Sequence, residues 1–326
     1  MTTITIGAVG DLLMKNKIID SARISKKNQY SFGSIFAGVA PHLKNNDLLI
    51  GNLETTFSGT PWFGGNPSRL GRYERRSKRT GYPMFNCPDE LASTLKHTGF
   101  DVMTTANNHC ADGGEYGIKR TLNVLDRHGL KHTGTARSQK EAKRLLIMRV
   151  KGIDIGILSY TYGTNRMPVA KSYLVNRIQS KKIAADINRI KKKCDFVIVC
   201  LHFGREFRLT QNKTQMRLVD LCFKHGANAI LGAHPHVLQP VVKRKVKDKY
   251  GVTKTRVAAY SLGNFLSPKI FNNKHTTRAM ILKLTITKNS KGATDITRVG
   301  RIRTITKHSK PGGKPTYRLV PVSSYR

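Results

Sequence analysis

The chain has 326 residues, and its 58 Lys and Arg against 19 Asp and Glu give a formal net charge of +39. A hydrophobic content of 39% without low-complexity blocks or fixed-period repeats excludes a disordered chain or a repeat array, and no apolar stretch reaches the ~18 residues of a transmembrane helix. Such a high positive charge favours polyanionic partners such as nucleic acid, an anionic polymer or an anionic membrane surface. The basic residues are spread along the whole chain, however, which also fits a general preference for basic residues on the surface.

The amino terminus opens directly on a β-branched run, Thr2 to Ile6, without the basic and apolar regions of a signal peptide. The sequence therefore predicts a cytoplasmic protein without a membrane anchor. Five cysteines form no CxxC pair, which predicts reduced thiols. Cys200 and Cys222 lie in apolar runs typical of a core, whereas Cys110 follows a histidine and could be exposed.

Apolar β-branched runs recur along the chain, and most of them stop abruptly at a glycine or a polar residue. The predicted strands cover 4–9, 47–51, 100–105, 196–201, 228–232, 257–260 and 279–286. Amphipathic helical patterns lie between them over 89–96, 116–128, 182–192 and 214–224. This alternation predicts a layered α/β architecture, whose ligands bind beyond the carboxyl ends of the strands.

One large domain over 1–288 accounts for this pattern. After Lys288 the composition shifts to Thr, Gly, Lys and Arg, so we assign 289–326 to a basic C-terminal extension that is either strands or a mobile arm. The charged segment 243–250 is predicted to link the two strands of a hairpin.

Polar side chains collect at the ends of five predicted strands. Together they offer carboxylates, an amide and imidazoles, the inventory that two divalent ions sharing one bridging carboxylate would need. Simpler readings stay open: Asp11 could cap a helix, Glu54 could pair with a basic neighbour, and the histidines around Pro235 could cap a strand. The set is Asp11, Glu54, Asn108, His109, His202, His234 and His236.

The order of these motifs resembles the CapA/PgsA family of bacterial capsule synthesis proteins over roughly residues 4 to 286. The motifs are Gly10-Asp11, Gly51-Asn52-Leu53-Glu54, Ala106-Asn107-Asn108-His109, Leu201-His202-Phe203-Gly204, Gly232-Ala233-His234-Pro235-His236 and Ser261-Leu262-Gly263-Asn264-Phe265. The resemblance implies a role with poly-γ-glutamate, proteins usually anchored at a membrane, and a fold similar to calcineurin-like metallophosphoesterases. That fold is a four-layer sandwich of two mixed β-sheets flanked by helices.

The resemblance also implies one or two divalent metal ions, Mn, Fe or Zn. The implied ligand sets are Glu54, Asn108, His202 and His234 on one ion and Asp11, Glu54 and His236 on the other. The chain departs from the metallophosphoesterase motifs at two positions. Metallophosphoesterases carry a histidine where this chain has Leu13, and a bridging aspartate where it has Glu54. The number of metals and the presence of turnover therefore stay open.

Four further residues receive roles around the ions. His109 would stand beside a phosphate as general acid or electrostatic stabiliser, and Asn107 and Asn264 would orient neighbouring groups. Arg205 would bind an anion or form an ion pair.

The leading hypothesis is thus a CapA-like protein that handles poly-γ-glutamate or a similar anionic polymer, with phosphoester hydrolysis as the chemistry if the site turns over. The alternative is a cytoplasmic metal-dependent phosphodiesterase or nuclease, since one fold hosts many substrates. However, the basic stretches carry few interleaved aromatics for base stacking. A non-catalytic polyanion-binding protein is the third possibility.

Overall fold

A computed structural model describes residues 1–24, 29–63, 66–313 and 315–322. Within these residues the strands, in chain order, are Thr2–Leu12 (β1), Leu48–Leu53 (β2), Trp62–Phe63 (β3), Asn66–Leu70 (β4), Arg75–Arg76 (β5), Pro83–Met84 (β6), Val102–Thr104 (β7), Lys131–Thr133 (β8), Leu146–Val150 (β9), Ile153–Thr161 (β10), Phe196–His202 (β11), Ala229–Ala233 (β12), Val241–Lys247 (β13), Thr253–Ala259 (β14), Asn264–Leu266 (β15), Arg278–Lys288 (β16), Thr294–Ser309 (β17) and Thr316–Pro321 (β18). The helices are Asn16–Ser21 (α1), Gly33–Phe36 (α2), Ala40–Lys44 (α3), Glu90–Thr98 (α4), Gly114–Arg127 (α5), Gln139–Ala142 (α6), Ser180–Ile190 (α7) and Lys213–His225 (α8).

Parallel strands form the centre of two large sheets. The first sheet has the order β18-β17-β16-β1-β2-β7-β8, with β15 also paired to β1, and its strands β1, β2, β7 and β8 run parallel. The second sheet has the order β13-β14-β12-β11-β10-β9, and β10, β11, β12 and β14 run parallel. Because parallel strands point the same way, their carboxyl ends meet at one edge of each sheet.

Alternating side chains explain why the two sheets stack face to face. Ile6 of β1 and Ile198 of β11 belong to one buried cluster between the sheets. Leu49 of β2 faces the opposite way, into a cluster with α1 to α5, and Val197 of β11 packs with α7 and α8. Successive residues of a strand face opposite sides, so both faces of each sheet are buried. The predicted four-layer α/β sandwich is therefore confirmed.

The four predicted helices are present as α4, α5, α7 and α8, with ends shifted by a few residues. Local signals set these ends. In α8 the side chains of Asn212 and Gln215 form a reciprocal capping box, and the helix stops at Gly226, whose φ of 108° is a left-handed conformation that glycine adopts at little cost.

The structure decides two predictions for the C-terminal part of the chain. Of the two alternatives for the basic extension, the structure has strands, since β17 pairs with β16 along the first sheet and β18 pairs with β17. The expected hairpin link at 243–250 is wrong in position. Residues 243–247 are part of strand β13, and the turn to β14 falls at 248–252, where the Asp248 carboxylate accepts hydrogen bonds from the backbone of Tyr250 and Val252.

All five cysteines are free thiols, as predicted. Cys110, which could have been exposed, is buried. Its side chain packs in a small apolar cluster with Ile118 and Leu174, which excludes it from solvent. Among the helices of the described ranges, none combines the length and the apolar character needed to cross a bilayer.

Candidate metal centre

Five strand ends bring the predicted polar residues to one cleft at the edge of both sheets. Asp11 lies near the end of β1, Glu54 follows β2, and the segment 106–109 follows β7. From the second sheet, β11 ends on His202, and β12 leads into the segment 234–236. Each of the seven residues is at most 5% exposed, namely Asp11, Glu54, Asn108, His109, His202, His234 and His236.

Glu54 lies at the centre of this cleft. Its Oε1 atom is 3.6 Å from His202 Nε2 and 3.9 Å from His236 Nε2. Two overlapping groups of potential ligand atoms, each within 4.8 Å, therefore share this carboxylate: one adds His202 and His234, and the other adds Asp11 and His236. The arrangement has the form of two cation positions joined by one carboxylate.

The Glu54 carboxylate is buried without a hydrogen-bond donor beside it among the described residues. Within the described part of the chain, neither of its oxygens accepts a hydrogen bond. Burial and the neighbouring Asp11 carboxylate raise the pKa of Glu54 well above its usual value. A buried carboxylate that accepts no hydrogen bond and lies beside a second carboxylate is costly, and a cation between them reduces that cost. The donor set thus fits a divalent metal.

Two imidazoles beside Glu54 are held in the neutral form that binds metals. Burial and the nearby His236 ring lower the pKa of His234 to about 3, and burial with the His234 ring lowers the pKa of His202 well below its usual value. Among the described residues His234 Nδ1 has no hydrogen-bond partner. His202 Nε2 lies 2.8 Å from Asn108 Oδ1, so the predicted amide faces the same position as the ring.

His236 has a different environment. Burial alone would lower its pKa, but the hydrogen bond and charge of Asp11 outweigh burial and raise it. Its Nδ1 atom lies 2.8 Å from Asn264 Oδ1 and 3.4 Å from Asp11 Oδ2. The Asn264 amide is in turn anchored by donating to the carbonyl of Thr276 at 2.9 Å. Asn264 thus contacts both His236 and the backbone of Thr276, and its predicted role in orienting the ring stays a prediction.

Backbone strain is concentrated at these ligands. The φ angles of His234 and His236 are 97° and 59°, left-handed values that cost a non-glycine residue ~1–3 kcal/mol each. The backbone N–H of His234 donates to Asp11 Oδ2 at 3.2 Å, which ties the two sheets together at this point. Gly10 is required because the backbone of Gly263 passes close to it: a Cβ at position 10 would lie 2.0 Å from the carbonyl oxygen of Gly263.

His109 lies in the same cleft and forms a buried pair with Asp112. Its Nδ1 atom is 2.7 Å from Asp112 Oδ2, and the same carboxylate oxygen accepts from the Phe85 backbone at 2.6 Å. The ring packs on Phe85 with centroids 4.1 Å apart, and Nε2 lies 3.3 Å from Asn165 Nδ2. Asp112 fixes the orientation of the ring so that Nε2, and not Nδ1, is available for chemistry.

The side chains of Asn52 and Asn107 hydrogen-bond to the candidate ligands or to the backbone next to them. Asn52 donates to Asp11 Oδ1 at 2.7 Å and lies 3.3 Å from His202 Nδ1. Asn107 donates to the carbonyl of Leu53 at 2.7 Å and accepts from the backbone of His109 at 3.1 Å. Asn107 therefore shapes the loop on which His109 sits.

Two positions contribute no ligand. The Arg205 side chain is exposed and, within the described residues, forms neither a hydrogen bond nor an ion pair, so its predicted anion-binding role stays a prediction. Leu13 is 2% exposed, and its backbone N–H donates to the Leu266 carbonyl at 2.9 Å. An apolar side chain at this position offers no donor atom.

Three residues near the cleft were missed by the sequence interpretation. Glu206 forms a potential ligand group with His234 and His236, Asp112 orients His109, and the Tyr162 ring packs on His234 with centroids 4.5 Å apart. Tyr162 comes directly after β10, so the rule that polar residues follow strands would have found it. Asp112 lies in a loop and carried no comparable signal.

Comparison with known proteins places this site in context. Residues 5–269 match the family model described as "Bacterial capsule synthesis protein PGA_cap". The chain is 27% identical over 270 residues to the Capsule biosynthesis protein CapA of Bacillus anthracis, covering 81% of this chain and 59% of that protein. It is also 27% identical over 292 residues to the PGA biosynthesis protein CapA of Bacillus subtilis (strain 168), covering 89% and 69%. The chain thus spans about three fifths of the Bacillus anthracis protein.

A solved structure shares the fold at low sequence identity. A Staphylococcus aureus protein described as a 5'-nucleotidase, in complex with alpha-ketoglutarate, superposes with a TM-score of 0.52 at 13% identity, covering 100% of this chain and 55% of that one. At this identity the similarity concerns the fold alone. Because the family match covers most of the chain and includes every strand end of the cleft, the chain belongs to the bacterial capsule synthesis protein family PGA_cap.

Proposed function

We propose that the chain is a metal-dependent phosphoester hydrolase domain that works in the synthesis or handling of a poly-γ-glutamate-type anionic polymer. The observation that carries this proposal is the Glu54 carboxylate, which is buried without a hydrogen bond and shared by two groups of potential ligands. The names of the two Bacillus relatives, a capsule biosynthesis protein and a PGA biosynthesis protein, support the capsule polymer.

The residues that would hold the ions divide into two sets. Glu54, His202 and His234, with Asn108 beside them, would hold one ion, and Asp11, Glu54 and His236 would hold the other. Bound there, a divalent cation would supply Lewis-acid chemistry toward a phosphoryl oxygen and activate water.

The remaining chemistry falls to His109 and its neighbours. Asp112 accepts a hydrogen bond from Nδ1 of His109 and directs Nε2 into the cleft, where it would donate a proton to the leaving oxygen or stabilise negative charge. Tyr162 stacks nearly parallel to His202, at 8° and 6.3 Å between centroids, and shields the imidazoles from water on that side. A phosphoester bound in this cleft would thus meet a proton donor and a sheltered ligand set.

A groove at the edge of the two sheets suits an anionic chain. It encloses about 1100 Å³ and is lined by Arg278, Arg301 and Arg303, with apolar side chains such as Leu238 between them. Its wall at 238–241 follows the His234-Pro235-His236 segment along the chain. Among its described lining residues none is acidic. Guanidinium groups pair with carboxylates in a bidentate manner, which favours a polycarboxylate in this groove.

Metal removal tests the catalytic part of the proposal. Protein treated with a chelator is expected to lose hydrolysis of bis-p-nitrophenyl phosphate and to regain it when manganese is added, because the fold itself brings the buried ligands together. The rate is measured by release of p-nitrophenolate. If no divalent ion restores turnover in a protein that stays folded, the hydrolase proposal is wrong.

Polymer binding tests the other part. Replacing Arg278, Arg301 and Arg303 together by Gln is expected to weaken poly-γ-glutamate binding by about tenfold, ~1.4 kcal/mol, and the loss should shrink as salt rises. A matched control replaces three exposed lysines elsewhere, Lys181, Lys192 and Lys193, by Gln. Binding is measured by fluorescence anisotropy across a salt series, with DNA and RNA in parallel. Equal losses in both triple variants, or tighter binding of nucleic acid, would remove the support for this groove and this polymer.

A further inference from the structure

Glu206 is a carboxylate that no strand-end motif includes, yet it faces the cleft. A carboxylate oxygen of Glu206 and ring nitrogens of His234 and His236 all lie within 4.8 Å of one another. Unlike the other carboxylates of the cleft, Glu206 is exposed, so it lies on the solvent side of the ligand set.

The chain holds the loop of Glu206 against the histidines. Gly204 and Phe207 have left-handed φ angles of 103° and 63°, and the backbone N–H of Phe207 donates to the Pro235 carbonyl at 2.8 Å. The Phe207 ring lies 5.9 Å from the His236 ring, centroid to centroid. A left-handed phenylalanine costs ~1–3 kcal/mol, so the fold maintains this turn at an energetic cost. The turn places Glu206 beside the segment 234–236.

In the part of the chain that the structure describes, Glu206 and His234 both carry atoms that make no hydrogen bond and could bind a cation. His234 is 4% exposed, and its Nδ1 atom has no hydrogen-bond partner among the described residues. The Glu206 carboxylate, for its part, makes no hydrogen bond or ion pair in the described chain. A carboxylate without a partner therefore lies within 4.8 Å of ring nitrogens of two buried imidazoles.

We infer that Glu206 is an additional metal ligand, which binds a divalent ion together with His234 and His236 from the solvent side of the cleft. This inference rests on the proposed metal-dependent function and names one more residue of the same centre. Glu206 binds the ion on its solvent-facing side, from which an anionic substrate enters, whereas the buried ligands bind the ion on the side that faces the protein interior.

Manganese binding to the whole chain tests this assignment without relying on activity. In isothermal titration with Mn²⁺ alone, Glu206→Gln is expected to weaken binding at one position by about tenfold or more and to leave the other position unchanged. The matched control is Glu115→Gln, which removes the same charge from the surface of α5, where Glu115 pairs with Lys119. Titration at high salt screens long-range attraction, so a loss that persists there reports a direct ligand.

The outcomes separate this inference from the proposed function. If wild-type protein and Glu206→Gln bind Mn²⁺ with the same stoichiometry and affinity, Glu206 is not a ligand, while the metal centre itself stands. If wild-type protein binds no divalent ion, both fail. Thermal unfolding of the metal-free variants checks folding, and an exposed loop residue is expected to leave the melting temperature unchanged.

Discussion

His234→Ala is expected to abolish manganese-dependent hydrolysis of bis-p-nitrophenyl phosphate, lowering kcat/KM by about 100-fold or more. Changes around the direct ligands of metal sites already cost ~10–100-fold, and His234 is itself part of the group that shares Glu54. Its ring is neutral, since its pKa of about 3 lies far below working pH, so the loss removes a ready nitrogen donor. The measurement is the rate of p-nitrophenolate release at saturating Mn²⁺.

The control for this change is His97→Ala on the exposed face of α4, where the ring hydrogen-bonds only within its own helix, to Ser93. It should leave the rate unchanged. Excess manganese should partly rescue His234→Ala if the loss is one of affinity, because the other ligands stay in place. A His234→Ala protein with wild-type kcat/KM would contradict the assignment.

Glu54→Gln is expected to remove high-affinity metal binding at both positions and, at the same time, to stabilise the metal-free protein. Glu54 is the one residue common to the two groups, so its loss affects both ions. Without metal, the substitution removes the repulsion between two buried carboxylates, which we expect to raise the free energy of unfolding by ~1–3 kcal/mol near pH 7. Titration with Mn²⁺ and chemical denaturation of chelated protein measure the two effects.

The raised pKa of Glu54 also predicts how the stability difference between Glu54→Gln and wild type changes with pH. The pKa of Glu54 in the folded protein is raised above its ordinary value of 4.5, so the folded state binds the proton more tightly than the unfolded one. The contribution of Glu54 to the free energy of unfolding is therefore fully present below pH ~4.5, and it is lost as the pH rises through the folded-state pKa. Because glutamine stays neutral, the advantage of Glu54→Gln over wild type should grow with rising pH. A variant that is less stable than metal-free wild type at pH 7 would contradict this electrostatic description.

The strand-end pattern predicted which polar side chains the fold brings together, and their role as ligands stays a prediction. Asp11, Glu54, His202 and His234 each lie at or directly after the end of an apolar strand, and parallel strands direct their ends to one edge, so the linear sequence contains the grouping. The alternation of strands and helices predicted a layered α/β architecture, whereas the four-layer sandwich was implied by the resemblance to the CapA/PgsA family.

The missed features depend on the packing of loops and not on local patterns. Glu206 precedes Phe207, whose left-handed turn is hydrogen-bonded to Pro235, and Asp112 reaches His109 through a loop between β7 and α5. The predicted link at 243–250 failed for another reason. Its charges suggested a loop, but β13 is an edge strand whose exposed face tolerates lysine.

Anomalous diffraction from crystals soaked in Mn²⁺, recorded at the manganese edge, shows whether Glu54 is shared by divalent ions where the two sheets meet. We expect a peak in contact with the Glu54 carboxylate, with further ligands from His202 and His234, from Asp11 and His236, or from both sets. Manganese-saturated crystals whose map has no peak beside Glu54 would rule out this metal centre.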